Sequence, residues 1–261
     1  MISINTAQWY ALLTGYGWPL VRILGLLAVD PFFGNKAIGR RTRLGLGIAL
    51  AVVLQPLIPT PPAIDPSSAL GLLVLLYQFL IGVAMGFAMR IVLTAVEMAG
   101  HFSGLQMGLG FAMFFDPQHG TLVPVVAQIT SLFTVLVFLA MDAHLLVIQT
   151  LADSFRLLPI EQLPLGAVGF KVLVEWGAQI FSLGLRLAMP VVASLLIVNL
   201  AIGVMTRASP QFNIFAVGFP ITVSIGLMVM HVSLPQYVPL LMDAFNANAQ
   251  LVRKMLSSLG R

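Results

Sequence analysis

The sequence predicts an all-α membrane protein built from bent helical hairpins. Of its 261 residues, 59% are hydrophobic and 8% are charged, whereas a typical soluble protein carries about 25% charged residues. Several apolar runs reach the length of about 20 residues that a helix needs to cross a bilayer. A soluble domain of this size could not hide so much apolar surface, so lipid or a membrane assembly must surround the chain.

Six apolar runs are candidate membrane helices, and a seventh is ambiguous. The six are residues 7–29, 44–58, 66–89, 117–141, 187–206 and 211–234, and the seventh is 98–115. Five prolines within 56–66 predict an extended loop outside the membrane. The polar stretch 140–166 is also expected to lie outside the lipid, with an acidic loop over 142–161. We predict one membrane unit without a separate soluble domain.

The positive charges are clustered next to apolar runs. The clusters consist of Lys36, Arg40, Arg41 and Arg43 in one segment, and of Arg253, Lys254 and Arg261 in the other. Such clusters mark the cytoplasmic side or bind anionic headgroups. Six full crossings would place them on opposite sides, so either 236–252 returns through the membrane or some runs are hairpins. The basic face of a nucleic-acid-binding protein is missing, so no nucleic acid is expected as a partner.

Residues 67 to about 108 contain no proline and no cluster of turn residues, which predicts one long helix. At 1.5 Å per residue it would measure about 60 Å, twice the hydrocarbon core of about 30 Å. A simple membrane span does not need this length. The excess length indicates a helix that extends beyond the bilayer or packs on partner subunits.

Two stripes run along this helix when it is projected at about 100° per residue. One contains Gly82, Gly86, Gly100 and Gly104, and the other contains Arg90, Thr94, Glu97 and His101. Glycines four apart allow close helix packing in membranes, and ionisable groups at this depth need protein partners. The stripes are expected to face protein, either within the chain, with an Arg90–Glu97 or Glu97–His101 pair, or at a seam with another subunit or a conduit. A proton relay is a further alternative.

The segment GLGFAMFFDPQHG, residues 108–120, combines mobile backbone with apolar bulk. Its candidate residues are Gly108, Gly110, Phe111, Met113, Phe114, Phe115, Asp116 and Pro117. Asp116 and Pro117 have the pattern of a helix N-cap and first helical residue. Glycine gives freedom to the backbone, while phenylalanine and methionine fill irregular space and exclude water. The residues fit either a gate that closes a conduit or a tight re-entrant turn packed inside a bundle.

A short polar turn separates two apolar arms in 206–220 and predicts a helical hairpin. The turn residues are Arg207, Ser209, Pro210, Gln211 and Asn213. They fit a turn at the membrane surface, and their amide groups also fit hydrogen bonding to a partner at a cytoplasmic mouth.

The motifs of common enzymes are missing from the sequence. It contains no phosphate-binding G-x-x-x-x-G-K-[ST], no H-E-x-x-H and no G-x-S-x-G. There is no cysteine, and the four histidines are scattered without the spacing of metal ligands. We therefore predict no enzyme activity, cofactor or metal.

Four segments together resemble the FliR/SctT family of type III secretion export gates. They are residues 35–46, 82–125, 139–148 and 185–220. The resemblance implies a FliP-like part over about 1–180, followed by a FliQ-like hairpin over 181–261. It also implies bent helices in a helical hetero-oligomer that projects to the periplasmic side of the inner membrane.

The resemblance further implies a function in the flagellar basal body. The chain would form a channel with FliP and FliQ, with FlhB around the cytoplasmic entrance and FlhA nearby. Unfolded flagellar subunits would pass through this channel. The plug loop of the family corresponds to about Gln106–Leu122, so the glycines would let it move and Phe111, Met113, Phe114 and Phe115 would seal the pore.

A proton-coupled secondary transporter is the competing hypothesis. Glu97, Asp116 or Asp142 would be its proton carriers, because each is an ionisable group in apolar surroundings. This function requires a chain that works alone or as a homo-oligomer.

Overall fold

The described chain is helical throughout. A computed structural model describes residues 6–35, 37–59, 64–111, 124–162, 168–209 and 214–260, with the backbone alone at 6–13, 111 and 214–216. Its helices are α1 (Thr6–Val29), α2 (Arg40–Leu54), α3 (Ala69–Gln106), α4 (Val125–Ala140), α5 (Ala143–Leu157), α6 (Val168–Trp176), α7 (Gln179–Ala208) and α8 (Ile214–Leu259). Short 3-10 turns lie at Gln55–Leu57 and Leu109–Phe111. These residues contain no strand, which confirms the all-α prediction.

Among the described residues, three stretches are long and apolar enough to cross a membrane. They are Ala69–Gln106, Val168–Ala208 and Val217–Leu259. α4 and α5 make a fourth if the pair counts as one broken span. The chain is therefore a membrane protein, and its described residues contain fewer and longer candidate spans than the six predicted runs. The runs 66–89 and 98–115 contribute to one helix, α3, and the run 211–234 continues to the end of α8.

The prediction of one overlong helix is confirmed by α3. It extends without interruption over 38 residues, a length of about 57 Å at 1.5 Å per residue. Among the described helices, α8 (Ile214–Leu259) is longer still, although it contains three prolines.

The prediction of an acidic loop over 142–161 is wrong, because α5 occupies most of it. The residues that α5 buries are Ala143, Val147, Thr150, Leu151, Ser154 and Phe155. Their spacing of three and four residues gives the helix one inward face, which includes two hydroxyl-bearing residues. Polar residues between them, among them Gln149, Asp153 and Arg156, obscure this periodicity in the sequence. Asp142, just before α5, has the left-handed backbone φ of 54°.

The helices form two compact units, both assembled from separate parts of the chain. The first contains Met1–Ile91, Asp142–Gly177 and Phe245–Arg261, and the second contains Val92–Met141 and Ala178–Ala244. The FliP-like and FliQ-like parts, divided near residue 180, stay a prediction.

A fully buried arginine organises the first unit. Arg22 of α1 donates from Nε to Gln78 Oε1 of α3 at 2.7 Å. Its Nη1 donates to the carbonyl oxygen of Ser154 at 2.9 Å, and its Nη2 to that of Leu158 at 2.9 Å. The guanidinium also lies 4.4 Å from the centre of the Phe155 ring. Because Ser154 and Leu158 lie at the C-terminal end of α5, the cation caps the carbonyls of that helix.

An apolar cluster organises the second unit. It consists of Met107, Val126, Val191, Leu195 and Met230. In addition, the Tyr237 hydroxyl of α8 donates to the Leu187 carbonyl of α7 at 2.8 Å. Leu187 precedes Val191 and Leu195 in α7, whereas Tyr237 follows Met230 in α8. These contacts therefore fit two helices that run antiparallel, as the predicted hairpin requires.

Candidate functional site

The candidate plug segment begins where α3 ends. α3 stops at Gln106, and the backbone N–H of Gly108 donates to the Leu105 carbonyl at 3.0 Å. Gly108 has a φ of 86°, the left-handed conformation that glycine adopts after the last turn of a helix. The glycine at 108 is therefore required to end α3, whatever else it does.

The rest of the predicted plug is described only in part. Gly110 is half-buried in the 3-10 turn Leu109–Phe111, and a Cβ built on it would lie 3.0 Å from Leu105 Cδ2. The remaining candidates, which are Met113, Phe114, Phe115, Asp116 and Pro117, lie outside the described residues, as does the side chain of Phe111. The role of this segment as a plug stays a prediction.

Met107, immediately before Gly108, is held by α8. Its side chain is fully buried, and its carbonyl oxygen accepts a hydrogen bond from Thr222 Oγ1 at 2.9 Å. A Cβ built on Gly226 would lie 2.6 Å from Met107 Cγ and 2.7 Å from its Cε. The glycine therefore makes the space that the methionine occupies. Sequence reasoning did not single out these three residues.

In the first unit, two of the α3 glycines pack against α1. A Cβ on Gly82 would overlap the Arg22 carbonyl oxygen, and one on Gly86 would lie 2.7 Å from the Leu26 carbonyl oxygen. Gly25 of α1 packs against α3 in the same way, because a Cβ there would lie 2.5 Å from the Phe79 carbonyl oxygen. Glycines on both helices thus permit direct backbone contact.

In the second unit, the other two α3 glycines pack against α4. A Cβ on Gly100 would overlap Ala127 Cα and lie 2.6 Å from Thr130 Oγ1. One on Gly104 would lie 3.6 Å from Val126 Cβ, an ordinary contact. All four glycines therefore contact helices of the same chain. A seam with another subunit along this helix stays a prediction.

The ionisable stripe of α3 is exposed on the chain. Arg90, Glu97 and His101 all have exposed side chains. Among the described residues, ion pairs join Lys171 to Glu175 and Arg253 to Asp153, and none joins members of the stripe. Within the same residues, no group of three His, Asp or Glu side chains is placed to hold a metal ion.

The predicted cytoplasmic turn follows α7. Arg207 is exposed in the last turn of α7, where a cation interacts favourably with the helix dipole. The other candidates, which are Pro210, Gln211 and Asn213, lie outside the described residues.

Comparisons with known proteins cover nearly the whole chain. The family model described as "Bacterial export proteins, family 1" matches residues 13–247. The flagellar biosynthetic protein FliR of Pectobacterium carotovorum subsp. carotovorum is 40% identical over 261 residues, which is 99% of each chain. Proteins of the same name are 36% identical in Escherichia coli (strain K12), over 99% of each chain, and 28% identical in Bacillus subtilis (strain 168), over 92% of this chain and 93% of that one.

The match to the family model spans most of the chain, and the first two relatives align with it from end to end. Both relatives exceed 30% identity, so the agreement does not depend on short motifs. The chain belongs to the FliR family of bacterial export proteins.

Proposed function

We propose that the chain is a core subunit of the flagellar type III secretion export gate in the bacterial inner membrane. With FliP and FliQ it forms the channel through which unfolded flagellar subunits leave the cytoplasm, with FlhB at the entrance and FlhA nearby. The observation that carries the proposal is the family membership over residues 13–247, together with relatives named flagellar biosynthetic proteins.

The outer faces of the helices support an assembled state. α7 exposes large apolar side chains along its length, among them Ile197 and Leu200, each 71% exposed. Faces of this kind need either lipid or other subunits to cover them. Arg90, Glu97 and His101 on α3 are exposed as well, and charged groups in a lipid-facing position are costly. The α3 stripe therefore needs a protein or aqueous environment, and this need supports contact with partner subunits or a conduit.

The proposal includes a plug formed by about residues 106–122. Two described features support it: Gly108 turns the chain sharply at the end of α3, and Met107 and Val126 tie both ends of the segment to one cluster. The sequence between these ends is rich in phenylalanine and methionine, which can fill a pore and exclude water.

The plug is tested by replacing residues 110–116 with serine and glycine in the chain co-expressed with FliP and FliQ. We expect an assembled complex whose membranes conduct ions at rest. The matched control replaces 58–64, an equally long segment in the proline-rich region, and should leave conductance unchanged. An assembled complex with wild-type conductance after the 110–116 replacement would contradict the plug.

Membership of the complex is tested separately, by the mass and composition of the detergent-extracted protein. We expect a stable hetero-complex with FliP and FliQ. A solitary chain that binds a small substrate would instead favour the proton-coupled transporter. Glu97 and Asp142, two of its three proposed carriers, are exposed side chains on the described chain rather than enclosed ones.

A further inference from the structure

Met107 attaches the end of α3 to α8. Its carbonyl lies just beyond the last helical residue, where α3 itself supplies no partner for it. Thr222 Oγ1 donates to this carbonyl at 2.9 Å and also approaches the Phe219 carbonyl of its own helix at 3.0 Å. One hydroxyl thus satisfies a buried acceptor 115 residues away, and a buried carbonyl without a donor is costly.

The side chain of Met107 is held one helical turn further along α8. Gly226 follows Thr222 by four residues, so the two lie on the same face of the helix. Met107 Cγ, Cε and Sδ would lie 2.6, 2.7 and 3.1 Å from a Cβ at 226. The methionine therefore fills a recess that exists only because residue 226 is glycine. The backbone and the side chain of Met107 are held by separate contacts.

The far end of the segment returns to the same place. Val126, in the first turn of α4, belongs to the buried cluster of Met107, and Gly104 of α3 contacts its side chain. The described residues on both sides of the segment, Met107 and Val126, thus lie in one apolar cluster. The end of the segment at Val126 is held by side-chain packing, whereas its start is also held by the Thr222 hydrogen bond.

We propose that Met107, Thr222 and Gly226 form a positioning anchor for the segment that follows. The anchor, defined by these three residues, sets where the chain leaves α3 at Gly108 and holds the 106–122 segment in its sealing position. The proposal rests on the plug function proposed above. It makes α8 the element to which the resting position of the plug is tied.

The test is Thr222→Val in the complex co-expressed with FliP and FliQ, since valine keeps the shape and loses the hydroxyl. Amide hydrogen exchange over 105–111 and resting ion conductance are measured together. Losing one buried hydrogen bond should speed exchange at Gly108 and its neighbours about three- to tenfold, and conductance should rise. Thr222→Ser keeps the hydroxyl and should restore both readouts.

Ser233→Ala is the matched control. Ser233 is a buried hydroxyl on the same helix, and it donates to the Val229 carbonyl of that helix at 2.7 Å. Its loss should leave exchange over 105–111 unchanged. Unchanged exchange in Thr222→Val, or an equal rise in Ser233→Ala, would overturn the anchor.

The failure of the plug and the failure of the anchor are distinguishable. If exchange rises in Thr222→Val while neither this variant nor the 110–116 replacement conducts ions, the plug proposal fails and the attachment of the segment to α8 stands. If the replacement conducts but Thr222→Val does not, the anchor does not hold the sealing position.

A second pair of variants tests the recess without touching the hydroxyl. Gly226→Ala should displace Met107 and speed exchange over 105–111. Met107→Ala in the same chain removes the displaced atoms, so the double variant should exchange more slowly than the sum of the two single effects predicts. Additive effects of the two substitutions would contradict the recess.

Discussion

The two halves of α3 use glycine pairs of the same spacing, yet they pack by different means. In the first half, Gly82 and Gly86 meet the backbone of α1. In the second half, Gly100 meets the backbone of α4, while Gly104 meets the side chains of Val126 and Leu109. The contact therefore loosens from backbone to side chain just before α3 ends. Among the four glycines of α3, the contact is closest at Gly82 and loosest at Gly104.

The polar contacts around the two halves differ in the same direction. Beside the first half, Arg22 makes hydrogen bonds to Gln78, Ser154 and Leu158. Beside the end of the second half, Thr222 makes one hydrogen bond to Met107 within an apolar cluster. Regions held by few directional bonds open at lower free-energy cost. The second half is thus the part of α3 that is held by fewer directional bonds.

The largest expected effect comes from Gly82→Ala. The new Cβ would overlap the Arg22 carbonyl oxygen and lie 2.8 Å from the Leu26 backbone nitrogen, and neither backbone atom can move without shifting α1. We expect a loss of about 4 kcal/mol in the free energy of unfolding. Thermal unfolding in detergent measures it.

Gly104→Ala is the control for that comparison. Its Cβ would make ordinary contacts of 3.6 Å with Val126, and alanine favours a helix by about 0.5–1 kcal/mol over glycine. We expect unchanged or slightly higher stability. Equal destabilisation by the two substitutions would show that the halves of α3 do not differ in tightness.

The next effect comes from removing the guanidinium of Arg22. Arg22→Leu would leave Gln78 Oε1 and the Leu158 carbonyl without their buried donors, at a cost of about 3 kcal/mol. Arg22→Lys keeps the charge but loses the planar fork that reaches three acceptor residues, so it should recover only part of the loss. Full recovery of stability in Arg22→Lys would mean that the first unit needs the positive charge and not the planar shape of the guanidinium.

Helix periodicity and composition were sufficient to predict α3, but they did not reveal the partners of its side chains. The absence of proline and turn residues between 67 and 108 predicts an uninterrupted helix, and α3 is one. The hydrogen bonds of Arg22 to Ser154 and Leu158 join residues 132 and 136 positions apart. No local sequence pattern around Arg22, Ser154 or Leu158 identifies its hydrogen-bond partner, because these pairs depend on how the helices pack.

The glycines of α3 show the same limit at the candidate site. Their spacing of four predicts close helix packing, but the partners could be identified only from the fold, as α1 and α4. Gly226 is isolated in α8 and has no glycine partner at this spacing in the sequence. Its role is visible only from the position of Met107. Gly108 is intermediate, since a glycine after an apolar helix is a recognisable stop signal.

A smaller, pH-dependent effect is expected at Asp30 in the first unit. Burial raises the pKa of Asp30 to about 6, although hydrogen bonds from the N–H groups of Phe33 and Phe32 oppose the rise. Its Oδ2 is buried and has no hydrogen-bond partner among the described residues. The folded chain therefore holds the proton more tightly than the unfolded chain, whose carboxyl has the ordinary pKa of 3.8.

The direction in which stability changes with pH follows from this difference in pKa. Between pH 3.8 and about 6 the folded state binds more protons than the unfolded state, so this group lowers stability as the pH rises. The decline should be on the order of 2 kcal/mol and should end above about pH 6. Asp30→Asn, which stays neutral, should remove it when thermal midpoints of the two proteins are compared across that range. A difference between the two midpoints that does not change with pH would contradict the assignment.

The smallest expected effect concerns the outer face of α7, and it tests whether lipid or another subunit covers that face. A Cβ built on Gly203 of α7 would have no atom within 4 Å in the described chain. Gly203→Ala should therefore raise the stability of the isolated chain by about 0.5 kcal/mol, because alanine restricts the unfolded backbone and favours the helix. Lipid would tolerate the added methyl group equally well, whereas a partner backbone as close as α1 is to Gly82 would not. If the isolated chain gains stability but recovery of the proposed complex with FliP and FliQ falls, a subunit contacts α7 at this glycine. If both are unaffected or improved, lipid covers that position.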